Sequence, residues 1–347
     1  MDTDILVSII VPIYNMGDKI EKSIETIIHQ DYQNTEIILI DDGSTDDTLE
    51  KCNRICQENK NVAVIHTENC GAGSARNKGI DVSKGRYLYF PDADDMLEKN
   101  AISSVVKAAA ESGADLVVFG YKCIDQNGRF VKEKRYKDRI VYGKEARSDY
   151  SDYYLSEEGY RIQGAPWNKL FDGKKIRDNH ISFPPLRRHQ DEAFIARYMC
   201  YSEKVIFIDD VLYSYKLNMQ RNEWEKYPTD YFNAVNGLFD ERKKNILIWN
   251  KDDYCTHEMV YSEYIYFTIK ALELSFCPKF KFNYKSRIKW MQKQLEGTEF
   301  KTITCPNSLH KYQRIVRWLI IHNIWRLAYG IMGLKVIIQG FIVSRNV

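Results

Sequence analysis

Phe90-Pro91-Asp92-Ala93-Asp94-Asp95 gathers three carboxylates directly behind a short apolar run, Tyr87-Leu88-Tyr89-Phe90. The run reads as a buried strand and the acids as its exit. In an open α/β sheet, ligands bind at the carboxyl ends of the strands, and an Asp-x-Asp there can hold a hard divalent cation against phosphate oxygens. Taken by itself the stretch also fits a solvated acidic turn, because aspartate is a common turn residue. The surrounding chain bears on that choice.

On the N-terminal side, Val7-Ser8-Ile9-Ile10-Val11, closed by Pro12, predicts a central parallel strand buried on both faces. Residues 19–30 carry Ile20, Ile24, Ile27 and Ile28 along one side of a predicted helix. A second strand, Glu36-Ile37-Ile38-Leu39-Ile40, ends in Asp41-Asp42-Gly43-Ser44, and Thr45 or Asp46 suits the cap of a helix running to about residue 57. Val62-Ala63-Val64-Ile65 reads as a third strand. Beyond the acids, residues 99–112 read as helix and Leu116-Val117-Val118-Phe119 as a fifth strand. Alternation of this kind predicts a doubly wound, mostly parallel sheet flanked by helices, with right-handed crossovers.

Several strand exits then carry polar groups: Asn15, the pair Asp41 and Asp42, and the pair Asp92 and Asp94. Loops at one edge of a parallel sheet can converge on one ligand, although Asp41-Asp42-Gly43-Ser44 alone also fits a turn and helix cap. The loop containing Gly71 and Gly73 would let a backbone approach phosphate, but it lacks the third glycine of a dinucleotide fingerprint and the Gly-Lys-Ser/Thr of a P-loop. Arg76 and Asn77 at the following helix start are stronger candidates, since a guanidinium can fork onto a phosphate or a carboxylate.

Four motifs in this order, Val11-Pro12-Ile13-Tyr14-Asn15, Ile40-Asp41-Asp42-Gly43-Ser44-Thr45-Asp46, Gly71-Ala72-Gly73-Ser74-Ala75-Arg76-Asn77-Lys78-Gly79 and Asp92-Ala93-Asp94-Asp95, resemble the inverting family 2 glycosyltransferases of the GT-A fold. Weaker similarity runs to about residue 220, and the rest of the chain is not covered. The resemblance implies a nucleotide-sugar donor, most often a uridine diphosphate sugar. Pro12 and Tyr14 would border the base, with Asn15 beside them, and Asp41 would accept a hydrogen bond from the uracil ring. Arg76 would sit by the base or diphosphate, Asp92 would reach the ribose or the metal, and Asp94 would ligate Mn2+ or Mg2+. These roles suit the side chains, because an ionised carboxylate only accepts hydrogen bonds and favours a hard cation.

The family places an acidic pair with its general base further on, and the matching run here is Arg187-Arg188-His189-Gln190-Asp191-Glu192, just before an apolar helical segment. Asp191 matches the base. Gln190 departs from the pattern where relatives often carry an acid, and Glu192 is a fallback. Displacement at an anomeric carbon with inversion needs one carboxylate to deprotonate the acceptor and positive charge for the leaving diphosphate. Asp191 also fits the plain role of an acid at a helix N-terminus. Trp167-Asn168-Lys169 resembles the family's Trp-Asn-Lys segment. Trp167, with Asn168, would meet the acceptor sugar, or the ring is simply core. Lys216, and less so Arg221, would contact the diphosphate.

Composition sets outer limits. A chain of 347 residues with 44% apolar and 28% charged content is an ordinary globular protein, too long for one small core. We expect residues 1–220 to form the catalytic domain and 221–347 a helical C-terminal extension. No charged n-region followed by an apolar h-region opens the sequence, so the expected location is the cytosol, with the inner face of the cell membrane an option that rests on the tail. The eight cysteines form no C-x-x-C pair, which points to structural free thiols rather than a zinc site or disulfides. The net charge of +2 hides an asymmetry: residues 300–347 hold seven Lys or Arg and no acid, leaving 43 basic against 48 acidic residues before them.

In that tail Val316, Ile320, Asn323, Leu327, Ile331, Leu334 and Ile338 recur at steps of three or four, predicting one helix with an apolar stripe. Lys311, Arg314, Arg317 and Lys335 would fall on its other side, and Lys335 interrupts any membrane-spanning run. Three uses fit: lying on an anionic membrane surface near a lipid-linked acceptor, forming a homodimer contact, or packing on the catalytic domain. Nucleic acid is a poor partner for a net acidic main domain without a recognised module. The partners that the resemblance implies are the donor and a glycan, glycolipid or glycoprotein acceptor. Two rival functions remain. A sugar nucleotidyltransferase would want a glycine- and base-rich loop after the first strand, and Pro12-Ile13-Tyr14-Asn15-Met16 is not one. A catalytically silent nucleotide-sugar-binding or scaffold subunit would have no need of all of Asp41, Asp92, Asp94 and Asp191.

Overall fold

The computed structural model describes residues 5–148, 162, 164–217 and 227–345. The chain divides into two compact units, Met1–Gln220 and Arg221–Val347. Arg221 lies outside the described residues.

In the first unit the elements are β1 (Val7–Ile13), α1 (Ile20–Ile28), β2 (Thr35–Asp41), α2 (Thr48–Glu58), β3 (Val62–His66), α3 (Ala72–Val82), β4 (Tyr87–Tyr89), β5 (Met96–Leu97) and α4 (Ala101–Ser112). They continue with β6 (Leu116–Ile124), β7 (Phe130–Lys134), β8 (Arg139–Tyr142), α5 (Gly143–Ala146), β9 (Lys169–Asp172), α6 (Gly173–Asp178), α7 (Gln190–Met199) and β10 (Lys204–Lys216). The sheet runs β3-β2-β1-β4-β9-β6-β10-β5, with β7 on β6 and β8 on β10.

β1 is buried along its whole length and lies between β2 and β4, parallel to both. Because β1, β2 and β4 all point one way, their exits share one edge of the sheet. Ile13 is in register with Asp41, and Asp42 N donates to Ile13 O at 2.8 Å, which levels the first two exits. The second half departs from a mostly parallel sheet: β9 enters antiparallel between β4 and β6, with Phe171 opposite both Leu88 and Leu116. The short apolar run Leu170-Phe171 fits a strand buried on both faces, and it draws Trp167 and Asn168 against the sheet. β10 runs on beyond the apolar stretch Val205-Ile206-Phe207-Ile208, because register shifts between Ile208 and Val211 and between Val211 and Tyr213 carry it past two acids, Asp209 and Asp210.

α3 packs on β1 through Gly79, where an added Cβ would stand 2.2 Å from Ile10 Cγ2. Ile10 belongs to the buried centre strand and cannot retreat. Gly79→Ala should therefore destabilise the first unit by roughly 2–3 kcal/mol. Urea unfolding followed by tryptophan fluorescence checks this, and an unchanged midpoint would contradict the packing.

In the second unit α8 (Tyr231–Ile248) pairs with α9 (Tyr254–Leu274), followed by α10 (Tyr284–Leu295), α11 (Lys311–Ile321) and α12 (Trp325–Arg345). The expected single tail helix is two helices. Asn323 takes a left-handed φ of 60°, Ile324 N donates to Leu319 O at 2.8 Å, and Asn323 N donates to Ile320 O at 3.1 Å. That pair of bonds is a Schellman cap, and asparagine tolerates its left-handed position. The expected stripe is split accordingly: Val316 and Ile320 are buried, while Leu327, Leu334 and Ile338 are exposed. Arg317 is not on an outer basic side either. It is buried and donates Nε to Phe300 O at 3.0 Å. Lys335 turns inward to the buried Glu273, at 2.8 Å, which also accepts from Tyr312 Oη at 2.6 Å. No helix among the described residues is long and apolar enough to cross a membrane. All eight cysteines are free, but Cys70, Cys255 and Cys305 are exposed rather than core thiols.

Candidate active site

The edge where β1, β2 and β4 end is built around one guanidinium. Arg76, in the second turn of α3, is 3% exposed and donates Nη2 to Asp92 Oδ1 at 2.7 Å and Nη1 to Asp191 Oδ1 at 3.0 Å. It thereby joins the acid at the exit of β4 to the acid in the first turn of α7. The guanidinium also stands 5.3 Å from the centroid of the Phe183 ring. Burial works against its charge, and the Asp191 and Asp92 carboxylates outweigh that and hold it above the usual guanidinium range.

Asp191 keeps a 34% exposed carboxylate beside this buried cation. The surrounding protein pushes its carboxyl up, Arg76 pulls it down, and the nearby acids Asp92 and Glu192 leave the balance upward. Glu192 follows on the same turn, and His189 Nδ1 stands 3.3 Å from its Oε1. Gln190 has a packing role. Its Oε1 lies 2.6 Å from where a Cβ on Gly73 would stand, so the starts of α3 and α7 touch there.

The three acids after β4 have separate environments. Asp94 is exposed, and no side chain among the described residues bonds to it. Crowding by the protein and then Asp92 push its carboxyl up despite that exposure. Asp95 is buried, accepting from Tyr213 Oη at 2.7 Å and from Lys216 N at 2.7 Å. Burial and the neighbouring Asp94 push it up to about 8. Tyr213 Oη also accepts from Asp92 N at 3.1 Å. The tyrosine thus holds the acidic turn against β10. The sequence offered Asp95 as a third acid without a role, and its role is to anchor the other two.

At the exit of β2, Asp41 is buried, and its Oδ2 meets His66 Nδ1 at 2.6 Å and Ser44 N at 3.3 Å. Its Oδ1 is buried without a hydrogen-bond partner. Asp42 accepts from Cys70 N at 2.9 Å and Gly71 N at 2.8 Å, so these loop amides are spent within the protein rather than offered to a phosphate. Gly71 is required by its backbone, at φ 93°. Pro12 is buried in β1 opposite Ile40, and Tyr14 beside it is 47% exposed. Asn15, left-handed at φ 48°, accepts from Thr45 N at 2.8 Å through Oδ1 and donates its own N to Ser44 Oγ at 2.9 Å. It ties the first two exits together.

Trp167 is buried, with its ring stacked on Tyr213 at 4.6 Å and Tyr215 at 5.3 Å and edge-on to Tyr121 at 4.7 Å. Asn168 is buried too, donating Nδ2 to Phe119 O at 3.1 Å and accepting from Lys169 Nζ at 2.7 Å. Both residues therefore pack into the core beside β6 and β10 rather than on an open surface. Lys169, named in the sequence only as part of a motif, is buried, also donates to Ala165 O at 2.9 Å, and is pushed down to about 7 by burial, against the pull of Asp191.

The donor set for a divalent cation at this edge is small. Among the described residues no three His, Cys, Asp or Glu side chains surround one point. Asp94 nonetheless fits, because it is open, unpaired and raised by crowding and by Asp92, and a cation relieves both. Two carboxylates with the remaining positions left to phosphate oxygens and water is the usual habit of Mg2+ and of hard ions like it.

Comparison with known proteins agrees with this arrangement. Residues 8–163 match the family model described as Glycosyl transferase family 2. Glycosyltransferase GlyG of Streptococcus pneumoniae is 35% identical over 217 residues, covering 61% of this chain and 70% of GlyG. The structure of S. aureus TarS 1-349 in complex with UDP-GlcNAc shares the fold with a TM-score of 0.63 at 19% identity, over 95% of this chain and 90% of that one. The mannosyltransferase PcManGT from Pyrobaculum calidifontis, in complex with GDP-Man and Mn2+, aligns with a TM-score of 0.50 at 17% identity, over 94% and 86%. The sheet is that of the GT-A fold with a helical C-terminal region. The four motifs fall at one sheet edge, the family model covers them, and the GlyG likeness extends past them, so this chain belongs to glycosyltransferase family 2.

Proposed function

We propose that the enzyme transfers one sugar from a UDP-sugar to a hydroxyl of a glycan or glycolipid with inversion, using Asp191 as general base and a cation at Asp92 and Asp94. The observation that carries this reading is the single buried guanidinium shared by Asp92 and Asp191. It keeps the acid of the Asp-x-Asp motif and the acid of α7 in one electrostatic unit, which a displacement needs when charge leaves on one side and a proton on the other. Asp191 then takes the acceptor proton on its exposed side while Arg76 holds its Oδ1. A bound Mn2+ or Mg2+ supplies positive charge to the departing diphosphate.

The uridine preference rests on Asp41, whose unpartnered buried Oδ1 suits an imide N–H, with Tyr14 exposed to cover a ring. Pro12 and Asn15 shape that end by holding the strand exit. Lys216 lies beside Asp94 to meet diphosphate. Trp167 and Asn168 support the acceptor side from below, and Glu192 faces it from the next position on α7.

Asp94→Ala tests the metal assignment. UDP binding measured by calorimetry in Mn2+ should weaken by at least about 100-fold, with little change in EDTA. Equal weakening in both media would remove the cation from Asp94.

We place the enzyme at the inner face of a membrane by the same chemistry. α11 and α12 expose Trp318, Leu327, Leu334 and Ile338, and no acid follows Glu299. Leu334→Glu with Ile338→Glu should abolish flotation with anionic vesicles while donor hydrolysis persists. A wild-type dimer in solution that the same pair breaks would instead make this face a contact between copies.

A further inference from the structure

Beside Asp94 lies a cavity of about 270 Å³, of which the donor site takes in only Lys216. Its wall takes Lys19 and Lys22 from the start of α1, Lys216 from the end of β10, and Gln126 and Asn127 from the turn between β6 and β7. The one carboxylate on the wall is Asp94. Asp125, the nearest acid in that turn, is folded back on its own backbone, accepting from Asn127 N and Arg129 N, both at 2.8 Å. Lys122 on β6 is paired with Glu98 at 2.7 Å, whereas none of Lys19, Lys22 and Lys216 has a carboxylate partner among the described residues.

Three ammonium groups against one carboxylate leave an excess of positive charge around a hollow. Like charges lining one hollow repel, and a fold keeps such an arrangement at less cost when an anion sits among them. The volume is close to the lower end for small-molecule sites, about 300 Å³, which suits one or two phosphoryl groups rather than a sugar chain. Wall amides at Gln126 and Asn127 can add neutral hydrogen bonds to phosphoryl oxygens. Asp94 gives the hollow an edge shared with the cation site, so an anion held here also lies within reach of that ion's charge.

We propose that this lysine cup is a phosphoryl-anion subsite in which Lys19 and Lys22, together with Lys216, bind a phosphate group of one of the two substrates. This rests on the donor reading for its location beside Asp94. The phosphate comes either from the donor, as the diphosphate that departs with the nucleotide, or from a phosphate carried by the acceptor. In the first case the lysines are catalytic, because their charge meets the leaving group; in the second they select phosphorylated acceptors.

The full-length Lys19→Gln, Lys22→Gln double variant separates these outcomes, and its melting temperature should match wild type because both side chains are exposed. Binding is measured in EDTA, which removes any cation, with inorganic pyrophosphate, UDP and uridine as probes. Glycerol 3-phosphate is tested as an inhibitor of donor hydrolysis in Mn2+. Loss of pyrophosphate and UDP affinity by at least about tenfold with uridine unchanged assigns the cup to the donor diphosphate. Unchanged UDP affinity with loss of glycerol 3-phosphate inhibition assigns it to an acceptor phosphate. If pyrophosphate, UDP and glycerol 3-phosphate all behave as in wild type, the cup is not a phosphoryl site. Wild-type protein that binds pyrophosphate but neither UDP nor uridine would overturn the donor reading while leaving the cup in place.

Discussion

Asp191→Asn should bind UDP within about twofold of wild type and lose turnover by roughly 10²–10⁴, the span expected when a general base is removed. The carboxamide oxygen can still accept from Arg76 Nη1, so the 3.0 Å link and the start of α7 survive the change. Basicity is what disappears. Steady-state transfer measured beside calorimetric UDP binding separates the two effects, and a variant that turned over normally would move the base to Glu192. The pH profile carries the same signature. Burial holds the Asp191 carboxyl above its ordinary range of about 4, and the base is active only when ionised. kcat/KM should therefore fall as pH drops through a value above that range, and this acid limb should be absent from the residual activity of the variant.

Arg76→Met should cost the fold as well as the reaction. Without the guanidinium, Asp92 and Asp191 are left facing one another with no counter-ion, and breaking a buried pair in this way costs about 3–5 kcal/mol. The low end, about 3 kcal/mol, is expected because the two carboxylates keep 29% and 34% of their surface exposed. Arg76→Lys should recover part of the stability and little of the activity, since a point charge cannot fork to two acids. Urea midpoints and UDP affinity for both variants check the ordering. A Met variant as stable as wild type would mean that the two carboxylates can separate on their own.

The first half of the sheet is readable because its strands are near-continuous apolar runs, and its site because acids cluster at their exits. Val7-Ser8-Ile9-Ile10-Val11 and Glu36-Ile37-Ile38-Leu39-Ile40 leave little choice of structure. β9 is illegible for the opposite reason. Leu170-Phe171 is too short to show any period, and its antiparallel place between β4 and β6 depends on contacts far away in sequence. Asn323 carries a signal, as a residue fit to end a helix, but the steps of three and four continue across it and mask the break. The Arg76 link between Asp92 and Asp191 had no local mark. Each residue stood out alone, and only the fold of α3 against α7 brings them to hydrogen-bond distance. The roles of Asp95 and Lys169 were hidden for a similar reason, since burial is what changes their chemistry and burial is not written in a side chain.

The contact between Gly73 and Gln190 bears on how the sequence can drift. A methyl group at position 73 would stand 2.6 Å from the Gln190 amide oxygen, the far end of a flexible side chain that can swing aside, and 3.2 Å from Phe183 Cβ, which has less room to give. A methyl at 73 is thus expected to be mild and longer side chains costly, and a randomised library should recover the larger residues at 73 mainly beside a smaller one at 190.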